Sequence, residues 1–353
     1  MIKAKIALMY GPHDLRVEEV TMRDPNENEV LIKMKAAGIC GSDVECFEGK
    51  SKEGRYDIAP YTPGHEWSGE VVATGKGVTT VKVGDKVTGD CVLACFRCEN
   101  CKRGLMPAAC LQFREVGFTP GAGGGMGEYL LLEEAYVHPL PKDWTFEEGA
   151  LVEPFSVSHW GVWGPGSYVE ASDDVVVFGS GPIGLGVLIV CKAASAKVIM
   201  LEPLASRREV AKKFGADVAL DPYSADNLIA EIAKNTTTSR GATLIVEASG
   251  NDEAIGWMFD VAGLQPRLRM IGHSIGRKVP VEIGKTIWRG ISIYGQGGIS
   301  YDMPQTINFM DRIRNRVDLR GLITHKYPFE KVNEAFDMAV HHKAEAIKVM
   351  LTF

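Results

Sequence analysis

Long runs of one kind are what this sequence lacks. No stretch of lysine and arginine accumulates in its 353 residues, and the formal net charge is −6. That argues against nucleic acid as the main partner. No apolar stretch is long enough to cross a bilayer, since the longest candidate, IGLGVLIVCKAA, breaks at Lys192. The opening MIKAKIALMYGPHDLRVEEV has no signal-peptide core. No membrane partner is expected, and a cytoplasmic location is the default expectation. Internal repeats and low-complexity linkers are absent as well. With 45% hydrophobic and 24% charged residues, the composition is that of a globular protein of about two domains.

The eight cysteines are unevenly spread. Six fall between Cys40 and Cys101, Cys110 lies just beyond, and Cys191 stands alone. In a reducing compartment such crowding points to metal rather than disulfides. Cys191 sits in an apolar helical run and reads as core.

Residues 1 to about 150 carry short alternating runs, such as EVLIKMKAAG and SGEVVATG. They predict a β-rich unit. From 175 to 295 the pattern changes. VVVFG, VIMLE, ADVAL, TLIVEA, LRMIG and ISIYG are short apolar runs, several separated by helical patterns such as ASRREVAKKFGA and NLIAEIAKNT. Strands alternating with helices imply parallel pairing, and six strands fit two mononucleotide-binding halves. After about 300 come two helical runs, TINFMDRIRNR and EKVNEAFDMAVHH, and a final strand, IKVMLTF.

In VVVFGSGPIGLGVLIV, Gly179, Gly181 and Gly184 follow an apolar strand and open a helix. Such glycines permit a tight turn, close approach of backbone to a pyrophosphate, and close helix–strand packing. The helix N-terminus offers its N–H groups to the phosphates. Glu202 ends the next strand, 18 positions beyond Gly184. A carboxylate there accepts ribose hydroxyls and repels a 2′-phosphate, which favours NAD over NADP. Arg207, with Arg208 beside it, is placed to reach the adenosine side and soften that preference. A glycine turn that binds nothing is the plain alternative.

CFRCENCKRGLMPAAC supplies Cys95, Cys98, Cys101 and Cys110. Two consecutive CxxC steps and a fourth cysteine suit a closed, structural zinc site with no open position. Free surface thiols and iron–sulfur ligation are the alternatives, the latter with its fourth cysteine too late for the usual run. A nucleic-acid zinc finger would need a basic helix, and KRG is too short. Cys40, His65, Glu66 and Glu153 remain. Each alone has a dull reading; together they offer one thiolate, one imidazole and carboxylates, a zinc set able to stay open to substrate.

At this point the sequence resembles the zinc-dependent medium-chain alcohol dehydrogenases, in their polyol (sorbitol-like) and threonine dehydrogenase branch. GICGSD, PGHEWSGEVVATG, VKVGDKVTGD, CxxCxxC, GEY, LVEPFSV, VVVFGSGPIG, SRREVAKKFGAD and LITHKYPFEKVNEAF run in the family's order along nearly the whole chain. The resemblance implies an α/β protein. A GroES-like, β-rich catalytic domain would be built from 1–155 and 297–353, with a Rossmann domain, 156–296, inserted. A catalytic zinc would lie in the cleft between them, giving two zincs per chain with the structural one. Cys40 and His65 match ligands, and Glu66 and Glu153 match two acids that exchange with water as the third and fourth. Asp43 matches an acid that hydrogen-bonds and orients the zinc histidine. Ser42 matches the hydroxyl that touches the substrate oxygen and accepts its proton. Contacts to NAD fall to Gly179, Gly181, Pro182, Ile183, Gly184, Glu202, Arg207, Ser249, Ile271 and Gly272. Phe118 and Trp160 are pocket candidates, though aromatics are commonly plain core.

Four departures from the family pattern matter. Cys101 and Cys110 enclose eight residues, one more than is usual. Glu45 stands where many relatives carry a relay histidine. It reads either as a relay or substrate-binding group or as a solvated acid supporting a helix start. Gly297 and Gly298 occupy the place of a substrate-side arginine. Trp160 stands where a histidine is common, with His159 shifted one place. The expected reaction is hydride transfer between a secondary alcohol of a polyol or sugar and NAD. An amino-alcohol oxidation of the threonine dehydrogenase kind is the alternative within enzymes. A redox-silent NAD-binding protein with structural zinc only is the alternative outside them. By resemblance the chain is expected to form a homo-oligomer, a dimer or tetramer.

Overall fold

The computed structural model describes residues 1–50, 59–224, 226–272, 276–296 and 302–353. The N-terminal alternation forms an antiparallel pair, β1 (Ile2–Gly11) and β2 (Asp14–Met22). EVLIKMKAAG becomes β3 (Glu29–Gly38), followed by helix α1 (Gly41–Phe47) and β4 (Glu66–Thr74). Next come β5 (Lys86–Gly89), β6 (Val92–Leu93), α2 (Glu99–Lys102), β7 (Arg114–Glu115), β8 (Tyr129–Glu133) and β9 (Val137–Pro139). Two helices, α3 (Phe146–Ala150) and α4 (Val152–Trp163), end this part. Thr145 starts α3 with a reciprocal hydrogen-bonded cap to Glu148.

The alternating pattern after 174 gives β10 (Asp174–Phe178), α5 (Pro182–Ala193), β11 (Lys197–Leu201), α6 (Ala205–Lys213), β12 (Val218–Leu220) and α7 (Leu228–Asn235). The second half is β13 (Ala242–Glu247), α8 (Asp252–Val261), β14 (Ala262–Met270), α9 (Gly284–Arg289) and β15 (Ser292–Gly295). These six strands form one parallel sheet in the order β12-β11-β10-β13-β14-β15. That order reverses between β10 and β13, the point where such sheets hold dinucleotides. Every residue of β10 is buried, which explains its unbroken apolar sequence. Val176, Ile199, Ile245, Met258 and Leu268 lie in the core beneath.

The tail supplies α10 (Met303–Ile313), β16 (Ile323–Pro328), α11 (Val332–His341) and β17 (Lys348–Thr352). The strand β17 pairs with β3, within the order β16-β17-β3-β4-β5-β9, and β8 adds to β3. Trp67, Met34, Phe329 and Phe336 centre this second core. The chain thus divides into two compact units, Met1–Ser156 with Gly297–Phe353, and Val157–Gln296. No helix among the described residues is long and apolar enough to cross a membrane.

Candidate metal centres and dinucleotide site

Two strand ends and a helix start bring the first group together. Gly38 ends β3 and pairs with Glu66, the first residue of β4. A Cβ on Gly38 would lie 2.1 Å from Glu66 Oε2, so only glycine leaves room for that carboxylate. Cys40 is the N-cap of α1. Its sulfur, a ring nitrogen of His65 and a carboxylate oxygen of Glu66 lie within 4.8 Å of one another. Three donor types converge here, two on buried residues, and His65 Nδ1 has no hydrogen-bond partner among the described residues. This donor set fits a zinc ion. Burial opposes charge on His65, but the thiol of Cys40 and the carboxylate of Asp43 outweigh it and raise the ring's pKa well above its usual value. Glu153, buried in the first turn of α4, falls outside the close group but acts on it electrostatically. Burial pushes its carboxyl up to about 7, with Glu66 adding to the shift and His65 opposing it.

Asp43 departs from its expected role. Its Oδ1 lies 3.9 Å from His65 Nδ1, beyond hydrogen-bond length. Instead Cys40 N–H donates to Oδ2 at 2.9 Å and Gly64 N–H to Oδ1 at 3.4 Å. The cause is its place in the first turn of α1, where an acid closes the N-cap. It therefore fixes the backbone of two segments that carry ligands and faces the ring only through charge.

Lys348 belongs to no motif of the sequence. It is 2% exposed, and its Nζ donates to Glu66 Oε1 at 2.6 Å, to Oε2 at 2.5 Å and to Ile39 O at 3.2 Å. Glu66 is thus held by a lysine as well as facing the ligand group. The signal was a lone cation inside an apolar terminal strand, IKVMLTF. Ser42 and Glu45 both lie on α1, half-buried and three residues apart, hence on one face. Phe118 is buried with its ring 5.1 Å from that of His65. Trp160 belongs to the other unit, where its carbonyl accepts from Arg269 at 3.1 Å and its ring lies against Gly164. His159 packs on Trp163. Gly297 and Gly298 lie outside the described residues.

The four clustered cysteines form the second group, with sulfurs within 4.8 Å of one another. Separations of 3.4 Å for Cys98–Cys101, 3.9 Å for Cys98–Cys110 and 4.0 Å for Cys95–Cys101 match the roughly 3.8 Å edge of a tetrahedron of zinc–sulfur bonds. Backbone N–H groups already point at the sulfurs, from Cys95 and Gln112 to Cys110 and from Cys98 to Cys95. The N–H of Cys101 leads in lowering the Cys98 thiol to about 6, while burial and neighbouring sulfurs push Cys101 up to about 12. Four thiolates cannot ionise together here without a cation, so the set fits zinc. Between Cys101 and Cys110 the chain makes a 3₁₀ turn, Pro107–Ala109, pinned by Asn100 Nδ2, which donates to Ala109 O at 2.7 Å.

The glycine-rich turn divides its labour. Gly179 has φ of +96°, which favours glycine, and its Cβ would sit 3.0 Å from Ser249 Cα. At Gly184 a Cβ would lie 1.9 Å from Gly179 O, so α5 can approach the turn only without one. Gly181 differs: nothing lies nearer than Arg207 Nη1 at 4.0 Å. A Cβ there would fill open space in front of the helix N-terminus, a cradle that fits a pyrophosphate. Pro182 takes the first helical position, and Ile183 follows. Glu202 accepts from Ser180 N–H at 2.8 Å and from Leu204 N–H at 3.0 Å. Arg207 lies beside it, its pKa lowered by burial. Arg208 is committed elsewhere, donating to the carbonyls of Glu202 and Pro203 at 2.7 and 2.6 Å. Ser249 follows β13, which borders the switch point, and Ile271 and Gly272 follow the neighbouring strand β14.

Comparison with known proteins gives the family. Residues 26–142 match the alcohol dehydrogenase GroES-like domain, and residues 182–312 match the zinc-binding dehydrogenase model. The chain is 32% identical to the sorbitol dehydrogenase of Bacillus subtilis (strain 168) over 355 residues, covering 98% of this chain and 96% of that one. It is 32% identical to the D-arabitol-phosphate dehydrogenase of Enterococcus avium over 345 residues, covering 96% and 92%. The crystal structure of an alcohol dehydrogenase (rspB) from E. coli CFT073 complexed with NADH superposes with a TM-score of 0.89 at 28% identity, covering 99% of each chain. The chain belongs to the zinc-dependent medium-chain alcohol dehydrogenase family.

Proposed function

We propose that this chain is an NAD-dependent dehydrogenase that oxidises a secondary alcohol of a polyol or sugar to the ketone, with two zinc ions per chain. The convergence of Cys40, His65 and Glu66 within 4.8 Å carries this reading. Those residues, with Glu153, would hold one ion, and Cys95, Cys98, Cys101 and Cys110 the other. Zinc held at the first site would supply a Lewis acid that eases loss of a proton from the substrate hydroxyl.

The chain's own groups do the rest. Ser42, two residues after Cys40, takes the alcohol proton at its Oγ. Glu45, on the same face of α1, is the next acid able to take it onward. Asp43 keeps the Cys40 and Gly64 backbones in place. The cradle at Gly181 binds the pyrophosphate, and Glu202 meets the adenosine ribose with its carboxylate. Ser249, Ile271 and Gly272 border the cofactor on the far side of the switch point.

The remaining acids suit a neutral, hydroxyl-rich substrate, because carboxylates accept several O–H donors. This argument rests on Glu45 and Glu153, Glu66 being balanced by Lys348. The eight free cysteines suit a reducing compartment such as the cytoplasm. Exposed apolar residues on α9 support a homo-oligomer. The deciding experiment is a panel of polyols, aldoses, their phosphate esters and amino alcohols, with NAD, followed at the NADH absorbance. Turnover of neutral polyols or aldoses is expected. Exclusive turnover of an amino alcohol or a phosphate ester would overturn the substrate reading, and silence across the panel the enzymatic one.

A further inference from the structure

The second acid at the switch point has no part in the reading so far. Glu247 is the last residue of β13 and is fully buried. Its Oε1 accepts three hydrogen bonds from the loop that follows: Ser249 N–H at 2.7 Å, Ser249 Oγ at 2.6 Å and Gly250 N–H at 2.9 Å. Its main-chain oxygen accepts from Ile271 N–H at 3.0 Å and Gly272 N–H at 3.2 Å, beyond the end of β14. One residue therefore ties the two loops that leave neighbouring strands.

The packing around these loops leaves no slack. A Cβ on Gly272 would lie 2.8 Å from Glu247 Oε2, and one on Gly250 would lie 2.7 Å from Gly272 O. Gly250 has φ of +68°, a conformation that favours glycine. On the other side, Ser249 Cα stands 3.0 Å from the place of a Cβ on Gly179, so the loop abuts the first glycine of the dinucleotide turn. Charge-assisted bonds to a buried acceptor are the stronger kind, and three of them converge on one oxygen. The loop is held from inside the protein, independently of what it contacts outside.

We propose that Glu247 is a positioning residue for the dinucleotide: its buried carboxylate sets Ser249 and Gly250 against the glycine-rich turn and so preforms one wall of the cofactor crevice. The inference rests on reading that crevice as the NAD site. Without the carboxylate the loop samples other conformations, and apparent affinity falls in proportion to the fraction still competent. The chemistry at Cys40 and His65 is untouched, so the loss appears in cofactor affinity and not in the rate at saturation.

The test is fluorescence titration of NADH into the native chain, Glu247→Ala and Glu247→Gln, with kcat at saturating NAD and circular dichroism of each. Glu247→Ala should raise the NADH Kd about tenfold, as when about one loop in ten remains competent. Glu247→Gln keeps an acceptor oxygen and should stay within about threefold of native. Both should keep the native kcat. Native affinity in Glu247→Ala overturns the proposal, as does a loss in Glu247→Gln equal to that in Glu247→Ala. Should the alanine chain fail to fold, Glu247→Asp takes its place. It keeps the charge but draws the oxygen back from Ser249, and native affinity there overturns the proposal too. A native chain that does not bind NADH refutes the cofactor reading itself, whereas native binding that survives every variant refutes only the role of Glu247.

Discussion

Lys348 grips both carboxylate oxygens of Glu66, at 2.6 and 2.5 Å, with the two side chains 2% and 1% exposed. The pair joins the C-terminal strand to the segment that carries His65. Glu66 thus faces the buried lysine while one of its oxygens also lies within 4.8 Å of the Cys40 sulfur and a His65 ring nitrogen. Burial opposes charge on Lys348, yet Glu66, Cys40 and Glu153 together outweigh it and raise its pKa.

Removing that cation should be expensive. Lys348→Met leaves a buried carboxylate without its partner, a change worth about 3 kcal/mol or more. Urea unfolding of the zinc-loaded protein should show the loss, and Lys348→Met with Glu66→Gln should regain part of it. Equal stability of the native and single-variant chains would mean that water or another group replaces the lysine.

Zinc content separates the two metal groups. The native chain should hold about two zinc ions, and Cys40→Ala about one. That variant should form no NADH while keeping its circular dichroism. Cys98→Ala should also drop to about one, but by loss of the closed site, with a lower thermal midpoint. A Cys40→Ala chain with native turnover would sink the mechanism.

Much of this was legible in the sequence, and the reasons differ by residue. The apolar runs of the second unit are unmistakable because β10 and its neighbours are buried on both faces. The strand β14 begins at Ala262, well before LRMIG, because Ala262 already pairs with Ala242; the residues up to Arg267, which pairs with Leu244, form an irregularity that carries no strand signal. Cys40, His65 and the four cysteines announced themselves by ligand chemistry. Lys348 and Glu66 did not. They are 282 positions apart, and only the order β17-β3-β4 brings them together. Asp43 was legible as an acid beside the site, but its partners depend on a helix cap that motif matching does not register. Glu247 looked like any acid at a strand end, since nothing in TLIVEA tells whether it faces solvent or its own loop.

Glu202 should show a double effect. Its oxygens brace Ser180 and Leu204, and on the proposed reading they also meet the ribose, so Glu202→Ala should loosen the glycine-rich turn while removing the charge that would repel a 2′-phosphate. KM for NAD should rise about tenfold, the effect of one lost charge-assisted bond, and the preference for NAD over NADP should shrink. Steady-state kinetics with both cofactors measures this. A native chain that already prefers NADP would reverse the cofactor assignment.

Acid should weaken the first unit at Glu29. Arg23 donates to both its oxygens, at 2.5 and 2.8 Å, and Asn26 N–H adds a bond of 2.7 Å. Arg23 leads in holding the carboxyl below its ordinary value of 4.5. A depressed folded pKa contributes stability above the unfolded value and loses it as pH falls through the folded one. Arg23 is half exposed, so the contribution is small, roughly 1 kcal/mol. Glu29→Gln should be less stable than native at neutral pH by about that amount, and the gap should close as pH drops below 4.5. Urea titrations at both ends of the range check it; a constant gap would show that the charge contributes nothing.

Association should run through the far edge of the parallel sheet. The helix α9 exposes Ile287 at 84% and Trp288 at 87%, large apolar side chains that a lone subunit gains nothing by presenting. The strand β15, which follows it, ends the strand order and so, among the described residues, offers unpaired backbone on one side, with Ile293 half exposed. A second copy related by a twofold axis can cover both features at once, because such an interface is self-complementary. Replacing Trp288 by lysine, alone and with Ile287→Lys, places charge where the rings would be buried. Sedimentation should then show the native chain as a dimer or larger and the variants as monomers, with circular dichroism unchanged. If native protein sediments as a monomer at micromolar concentration, the exposed residues of α9 serve something other than self-association.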